Sequence, residues 1–427
     1  MDFENKVKFS KSTKLLKGEN KTLLASMDNG ESIFISNECL NIFNEAEKEN
    51  LSFKKLLDCI EDKESRDYLK NLINKIDSYK MWKHSEIENY PCENMNISLD
   101  ITNNCNLRCK HCCVNAGEDL RGEDLPTEKI LSISKKLAEI NPVSITISGG
   151  EPLIRSDFKE ITKTIRDTYK GTLTLMTNGV LIDDDMAKFI SENYTSVDVS
   201  LDGYNEETCS TIRGKGTFEK VMKGISFLKK YNCKISASMV VTKETENYKK
   251  NFMDLCKENG IFGMLRTFDA VGRGKNNETQ LKVVEEDIES IDWKRVEEKF
   301  VKNKVFKERP QIFACQGAKR EFQIDHKGNV FPCASFMDDE YILFNVNDVD
   351  NLKDYLERGE FKKSIGYKNF IQYIPCNVKE CSNCNKQLLC FSCARTVRDN
   401  VKNNTIKNVC KEYSKYYDMY WRYNGTI

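Results

Sequence analysis

The eight residues Cys105-Asn-Leu-Arg-Cys109-Lys-His-Cys112 constrain this chain more than any other stretch. Three thiols stand at x3 and x2 spacing, directly after an alternating apolar run from Met95 to Ile101. Thiolates are the usual ligands of iron–sulfur clusters, and a loop this short can hold three corners of an iron–sulfur cube. One iron is then left without a protein ligand, and an open metal position belongs to chemistry rather than to scaffolding. A zinc knuckle or three unrelated buried thiols are the alternatives. Structural zinc takes four closing ligands, most often as paired C-x2-C units, and no second such pair lies nearby in the sequence.

Composition narrows the setting. The 427 residues suffice for two or three domains. Lys plus Arg equals Asp plus Glu at 66 each, so there is no electrostatic footprint for nucleic acid or an anionic membrane. There is no apolar run of about 18 residues, and the start, Met-Asp-Phe-Glu-Asn-Lys, is not a signal peptide. A cytoplasmic protein is expected. In that reducing setting, 18 cysteines point to metal rather than disulfides.

Strands are expected near 96–101, 143–148, 172–176, 197–201, 234–241 and 262–268, alternating with helices as in stacked βα units. The segment Ser148-Gly149-Gly150-Glu151-Pro152 follows the second strand, about 40 residues after the cysteine loop. Two glycines let backbone approach a ligand closely, and the neighbouring carboxylate suits an ammonium group.

These features resemble the radical S-adenosylmethionine (SAM) enzymes, whose signature is C-x3-C-x-aromatic-C; His111 fills the aromatic place. The resemblance implies an α/β fold, a partial (β/α)6 TIM-like barrel, with a 4Fe–4S cluster on Cys105, Cys109 and Cys112. SAM would chelate the open iron. An electron from a low-potential donor, flavodoxin or ferredoxin, would then yield methionine and a 5′-deoxyadenosyl radical that abstracts hydrogen. In the family the G-G-E-P segment contacts the SAM amino group, which assigns that role to Gly149, Gly150 and Glu151. By the same resemblance Ser200 meets the SAM ribose or carboxylate, with Asp202 as a further contact. Arg213 would pair with the SAM carboxylate, as a guanidinium fork suits; the alternative is a surface salt bridge. Leu265 is expected against adenine, or else simply in the core. Thr177-Asn178-Gly179 ends the third strand with no assigned role.

Cysteines return near the C-terminus, after a Glu-, Asp- and Lys-rich stretch (283–309) expected to form bridging helices. Cys315, Gly328 and Cys333 precede Cys381-x2-Cys384-x5-Cys390-x2-Cys393 and a last Cys410. This array resembles the SPASM extension, which holds two auxiliary 4Fe–4S clusters, so the resemblance implies three clusters in all. Its interlaced pattern gives Cys381, Cys384, Cys390 and Cys410 to one cluster and Cys315, Cys333 and Cys393 to the other, with Cys376 the nearest thiol for the missing ligand. An open iron there is the alternative. The chain departs from the family's C-x3-C glycine run at Cys390-Phe-Ser-Cys393, which is one residue shorter. A ribbon-type zinc domain is the competing reading of the C-x2-C pairs. The other cysteines, among them Cys39, Cys59, Cys92, Cys113, Cys209, Cys233 and Cys256, read mostly as ordinary buried thiols.

Residues 1–82 read as a separate domain, followed by the barrel (83–305) and the cluster-bearing extension (306–427). A hairpin around Asp28-Asn29-Gly30 precedes three short amphipathic helices. The pattern resembles the winged-helix-like peptide-recognition element of enzymes that modify ribosomally made peptides, in which a leader peptide adds a strand to a sheet edge. A helical cap or a DNA-binding winged helix would share the pattern, though the neutral charge speaks against DNA.

The expected function is that of a radical SAM oxidoreductase acting on a leader-bearing precursor peptide, resembling sactipeptide- and ranthipeptide-type maturases that install thioether cross-links. A sulfatase maturase, forming formylglycine, is the alternative; that subfamily carries Asp directly after the cysteine aligned with Cys333, where this chain has Ala334. A non-catalytic iron–sulfur carrier or zinc protein is the third reading. Only His84, His111 and His326 are present, and no general base stands out.

Overall fold

A computed structural model describes residues 1–86, 91–117, 123–283, 315–382 and 393–407, with 294, 297, 298, 384, 388, 410, 411, 414 and 418 singly. The expected bridging helices at 283–309 fall almost wholly outside these residues, and so does Cys390. The chain divides into two compact units, Met1–Glu88 with Glu286–Gln316 and Ile371–Ile427, and Asn89–Glu285 with Gly317–Phe370.

In the first unit the anticipated hairpin is the second half of a three-stranded antiparallel sheet: β1 (Thr13–Lys17), β2 (Lys21–Ser26) and β3 (Ser32–Ser36), ordered β1-β2-β3. The run Thr13-Lys-Leu-Leu-Lys17 does not alternate, which hid β1 from sequence reading. Three helices follow, α1 (Asn37–Lys48), α2 (Phe53–Asp58) and α3 (Lys63–Ser78). Their apolar faces meet around the fully buried Trp82, which stacks on Phe9 at 4.6 Å and meets Phe53 and Phe43 edge-on at 4.9 and 5.2 Å. The indole N–H donates to the Ile73 carbonyl at 3.1 Å, so the polar end of this ring is satisfied in the core. Ser36 caps α1 by accepting from the Cys39 N–H at 3.1 Å. Ser36→Ala is expected to cost this unit about 1 kcal/mol, read as a lowered denaturation midpoint.

The second unit is built on a nine-stranded sheet. Six parallel strands, β4 (Asn96–Asp100), β5 (Ser144–Ser148), β6 (Thr172–Thr177), β7 (Ser196–Ser200), β8 (Ile235–Val241) and β9 (Phe262–Thr267), lie side by side in chain order. Each starts and ends within a residue of its expected position. Crossover helices α4 (Thr127–Ile140), α5 (Phe158–Thr168), α6 (Asp184–Asn193), α7 (Glu206–Arg213), α8 (Thr217–Lys230) and α9 (Lys249–Glu258) join them. The sheet then extends past β4 through β10 (Glu321–Ile324), β11 (Asn329–Phe331) and β12 (Phe344–Asn345), with β10 parallel to β4. These strands carry no periodic signal long enough to announce them.

Period two sorts the two faces of this sheet. Ile97, Leu99, Ile145, Ile147, Leu173, Leu175, Val197 and Val199 are all at most 2 % exposed. Gly179 abuts both Val199 and Val221 of α8, which places this apolar set under the helices. The other face carries Ser98, Thr146, Thr174, Asp198, Ser200, Ser236 and Ser238. A parallel sheet packed on both faces would be apolar throughout. A polar inner face is instead the lining of a site, and in parallel barrels sites lie at the carboxyl ends of the strands.

Candidate functional site

The cysteine loop leaves β4 at that end and is gripped from three directions. Asp124 holds its entry: one carboxylate oxygen accepts from Thr102 Oγ1 (2.5 Å) and Asn104 Nδ2 (2.9 Å), the other from the Asn103 N–H (2.8 Å). Arg273 holds its far side, donating to the carbonyls of Cys109 (3.1 Å) and Ala116 (2.8 Å). The third grip is the Gly149-Gly150-Glu151 turn after β5. The Ile101 N–H donates to the Ser148 carbonyl (3.0 Å), the Gly150 N–H to that of Thr102 (2.8 Å) and the Glu151 N–H to that of Asn104 (2.8 Å). A Cβ on Gly149 would stand 2.3 Å from the Thr102 carbonyl oxygen, and one on Gly150 2.2 Å from that of Asn104. The glycines therefore admit the neighbouring backbone of the cysteine loop.

Glu151 is fully buried. Its oxygens accept from Thr177 Oγ1 (2.7 Å), the Asn178 N–H (2.7 Å) and the Leu153 N–H (3.2 Å). Burial raises its carboxyl pKa, against the pull of these donors. The carboxylate thus ties the β5 turn to Thr177-Asn178-Gly179, giving that segment the role the sequence left blank: Asn178 also reaches Asn106 (2.7 Å) and the sulfur of Cys105 (3.8 Å).

Beneath the loop lies a buried charge network. Asp202 is fully buried, with Val240 N–H donating to one oxygen at 2.7 Å. Its other oxygen is 2.5 Å from His111 Nε2 and 2.7 Å from Arg213 Nε. The Arg213 Nε–H is not aligned on that oxygen, so the contact is an ion pair rather than a hydrogen bond. Arg213 is 8 % exposed and sends Nη1 to the sulfur of Cys109 at 3.8 Å. Burial opposes ionisation of Asp202, yet Arg213 and His111 hold its carboxyl well below the usual range. Burial likewise works against the Arg213 charge, and Asp202 more than offsets it. The surface salt bridge considered for Arg213 is corrected: its partner is internal, because α7 ends against the cysteine loop, where the Lys110 N–H donates to the Ile212 carbonyl (3.1 Å).

Leu265, the residue expected against adenine, lies on β9, the edge strand among the described residues, and is 43 % exposed. It shares a strand face with Gly263, which abuts Met253 and Cys256 of α9, so alternation turns Leu265 away from the inner face. Met264 and Arg266 occupy that inner face instead. Ser200 ends β7, partly buried and in register with Ser238.

A model of the Radical SAM superfamily matches residues 99–256. A probable GTP 3′,8-cyclase of Methanococcus vannielii is 30 % identical over 210 residues, which cover 48 % of this chain and 70 % of that protein. The chain belongs to the radical SAM superfamily. The mycofactocin maturase MftC of Mycolicibacterium smegmatis is 31 % identical over 181 residues, 42 % of this chain and 45 % of that protein. The chain thus spans about half the length of this and some other curated relatives. Among solved structures, SuiB of Streptococcus suis bound to S-adenosylmethionine has a TM-score of 0.56 at 16 % identity, covering 92 % of this chain and 96 % of SuiB. Native anSMEcpe with bound AdoMet has a TM-score of 0.52 at 21 % identity, covering 76 % and 98 %. At these identities the likeness is one of fold: a radical SAM α/β fold with a parallel central sheet.

The superfamily implies a 4Fe–4S cluster and SAM, and the loop's chemistry fits a cluster. Every sulfur of the triad accepts an N–H: Cys105 from Leu107 (3.4 Å), Cys109 from Arg213 (3.8 Å) and Cys112 from Ala116 (3.3 Å). Such donors support thiolate ligands. Burial pushes the Cys109 thiol up to about 11 and raises that of Cys105, so metal loading would release protons. Among the described residues no three His, Cys, Asp or Glu side chains are gathered closely enough to hold a metal ion. The fit therefore rests on the donor set and the N–H groups aimed at it.

Of the C-terminal array, Cys315, Cys376, Cys381, Cys384, Cys393 and Cys410 belong to the first compact unit and Cys333 to the second. Cys381 packs on a small core of Val378, Val397 and Ile406, and the Cys384 N–H turns back to the Cys381 carbonyl (2.9 Å). Cys393 is the N-cap of the helix Ala394–Lys402. No helix among the described residues is long and apolar enough to cross a membrane.

Proposed function

We propose that this radical SAM enzyme is a peptide maturase that installs a cross-link, a thioether in the first instance, in a ribosomally made precursor. One observation carries the reading. In the first unit a three-stranded antiparallel sheet, ordered β1-β2-β3, is followed by three helices. Main-chain pairing to a strand of a small sheet is a general way to hold an extended leader peptide. SuiB, alike in fold over 92 % of the chain, is known bound to its precursor peptide SuiA. MftC, named a maturase, is a sequence relative.

Cys105, Cys109 and Cys112 would hold the cluster, which with SAM would supply radical hydrogen-abstraction chemistry. The chain's residues orient and shield this site through the Gly149–Glu151 turn and the Asp202 network. Cys381, Cys384, Cys390 and Cys410, and Cys315, Cys333, Cys393 and Cys376, are proposed to hold two auxiliary clusters. A low-potential flavodoxin or ferredoxin is the proposed electron donor.

The test is anaerobic reconstitution with iron and sulfide, then SAM, dithionite and a short cysteine-containing peptide encoded beside the gene. Roughly twelve irons per chain are expected for three cubane clusters, with 5′-deoxyadenosine formed and the peptide lighter by two hydrogens. Zinc in place of iron, or a loaded protein that forms no deoxyadenosine, would sink the proposal. A hydrazide-reactive aldehyde on the peptide would instead support the formylglycine reading. The fold of anSMEcpe favours that reading, while Ala334 after Cys333 removes the carboxylate it calls for.

A further inference from the structure

Thr177-Asn178-Gly179 ends β6 against the cysteine loop, and each of its residues has a fixed part. Thr177 Oγ1 donates to Glu151 and accepts the Gly179 N–H at 3.0 Å, while Gly179 takes a φ of +73° that turns the chain back. Asn178 is 6 % exposed, and its Oδ1 accepts the Val180 N–H at 3.0 Å. A backbone N–H can only donate, so this bond settles which end of the carboxamide is oxygen. The NH2 end therefore faces the cysteine loop, where it has two acceptors: Asn106 Oδ1 at 2.7 Å and Cys105 Sγ at 3.8 Å. Cys105 thus receives a side-chain donor in addition to the Leu107 N–H. The Cys109 donor, Arg213, is bound into the Asp202 pair, and the Cys112 donor is the Ala116 backbone. Of the N–H groups described at the three sulfurs, that of Asn178 is the one on an uncharged side chain. It can be removed without breaking the loop's backbone or a buried ion pair.

We propose that Asn178 is a positioning residue that sets the reduction potential of the cluster held by Cys105, Cys109 and Cys112, its Nδ2–H donating to the Cys105 thiolate. Reduction adds negative charge that the thiolates share, and an N–H aimed at sulfur stabilises the reduced state more than the oxidised one. Asn178 therefore raises the potential and eases arrival of the single electron that radical SAM chemistry takes from its low-potential donor. The donor is held in place before any metal arrives, because the backbone N–H of the same residue is anchored on the buried Glu151 carboxylate at 2.7 Å. This rests on membership of the superfamily and not on the peptide-maturase reading.

The experiment is a redox titration of the reconstituted full chain with SAM bound, followed by electron paramagnetic resonance. The SAM-binding cluster is the one whose signal changes when SAM is added. Asn178→Leu keeps the side chain's approximate size and removes both N–H groups. At the wild-type midpoint its ratio of reduced to oxidised cluster should be roughly one tenth, a downward shift of about 59 mV for one electron. Asn178→Asp keeps an acceptor for the Val180 N–H but turns a carboxylate oxygen on the sulfur, so its midpoint should fall further. Asn106→Ala removes the other acceptor and leaves the sulfur its donor, so its ratio should stay within twofold of wild type. Iron content and SAM affinity should match the wild type in Asn178→Leu. A loaded Asn178→Leu or Asn178→Asp protein whose ratio stays within twofold of wild type would overturn the proposal. So would a shift in Asn106→Ala equal to that in Asn178→Leu, which would make Asn178 a link between two loops rather than a sulfur donor. Loss of iron from both Asn178 variants would overturn it in favour of that same structural role.

Discussion

Asp202→Ala is expected to cost the radical SAM unit about 3–5 kcal/mol and most of its iron, because it strands the buried Arg213 guanidinium without a counter-charge. The carboxylate also holds His111 and the Val240 N–H, so two further groups lose their acceptor. His111 lies inside the cysteine motif and Arg213 touches the Cys109 sulfur, so the damage reaches the cluster ligands directly. The check is the denaturant midpoint of the reduced, iron-free protein together with iron per chain after reconstitution. Asp202→Ala combined with Arg213→Met should recover a large part of the stability, since removing both charges leaves no orphan. It should recover little of the iron, because the sulfur loses its N–H donor. A single variant as stable as wild type would show that Arg213 finds another partner and would remove the network from the account.

Gly150→Ala is the second large effect. The new Cβ would meet the Asn104 carbonyl oxygen at 2.2 Å. That carbonyl accepts the Glu151 N–H, and the side chain of the same asparagine is held by Asp124, so neither partner can retreat alone. A cost toward the upper end of the roughly 1–3 kcal/mol typical of overpacking is expected, with iron loading sharply reduced. Gly149→Ala adds a conformational penalty, its φ being +138°, to a clash at 2.3 Å with Thr102. Gly214 is the control. Its φ is +100° and ψ 159° but nothing lies within 4 Å of its Cβ position, so Gly214→Ala isolates the backbone term, about 1–3 kcal/mol. If the three alanines behave alike, close approach is not what these glycines provide.

Much of this was legible in the sequence because short-range signals carry it. The βα strands, the helices of the first unit and the cysteine triad each declare themselves within ten or so residues. The face of Leu265 was not legible, because a strand face cannot be assigned without its neighbour, and the proximity of Gly263 to α9 supplies that neighbour. Asp202 and Arg213 were singled out as ligand contacts, but their burial and mutual pairing depend on α7 folding back under the cysteine loop. Asp124 and Arg273 gave no signal at all: each grips the loop through backbone or polar atoms contributed by distant segments. The pairing of β10 with β4 was equally silent, being only four residues long.

That last pairing has a consequence for biosynthesis. Asn96, at the start of the first barrel strand, finds its outer neighbour only in Glu321. A ribosome that has delivered Thr267 has released all six barrel strands, yet the outer edge of β4 stays bare until Ile324 has emerged. At about 5–20 residues per second that interval is several seconds. During it the nascent chain presents an open strand edge, with the metal-binding loop attached to that same strand. An exposed edge is a template for pairing with other chains. The chain is therefore most open to mispairing at this edge in a brief, defined window of translation.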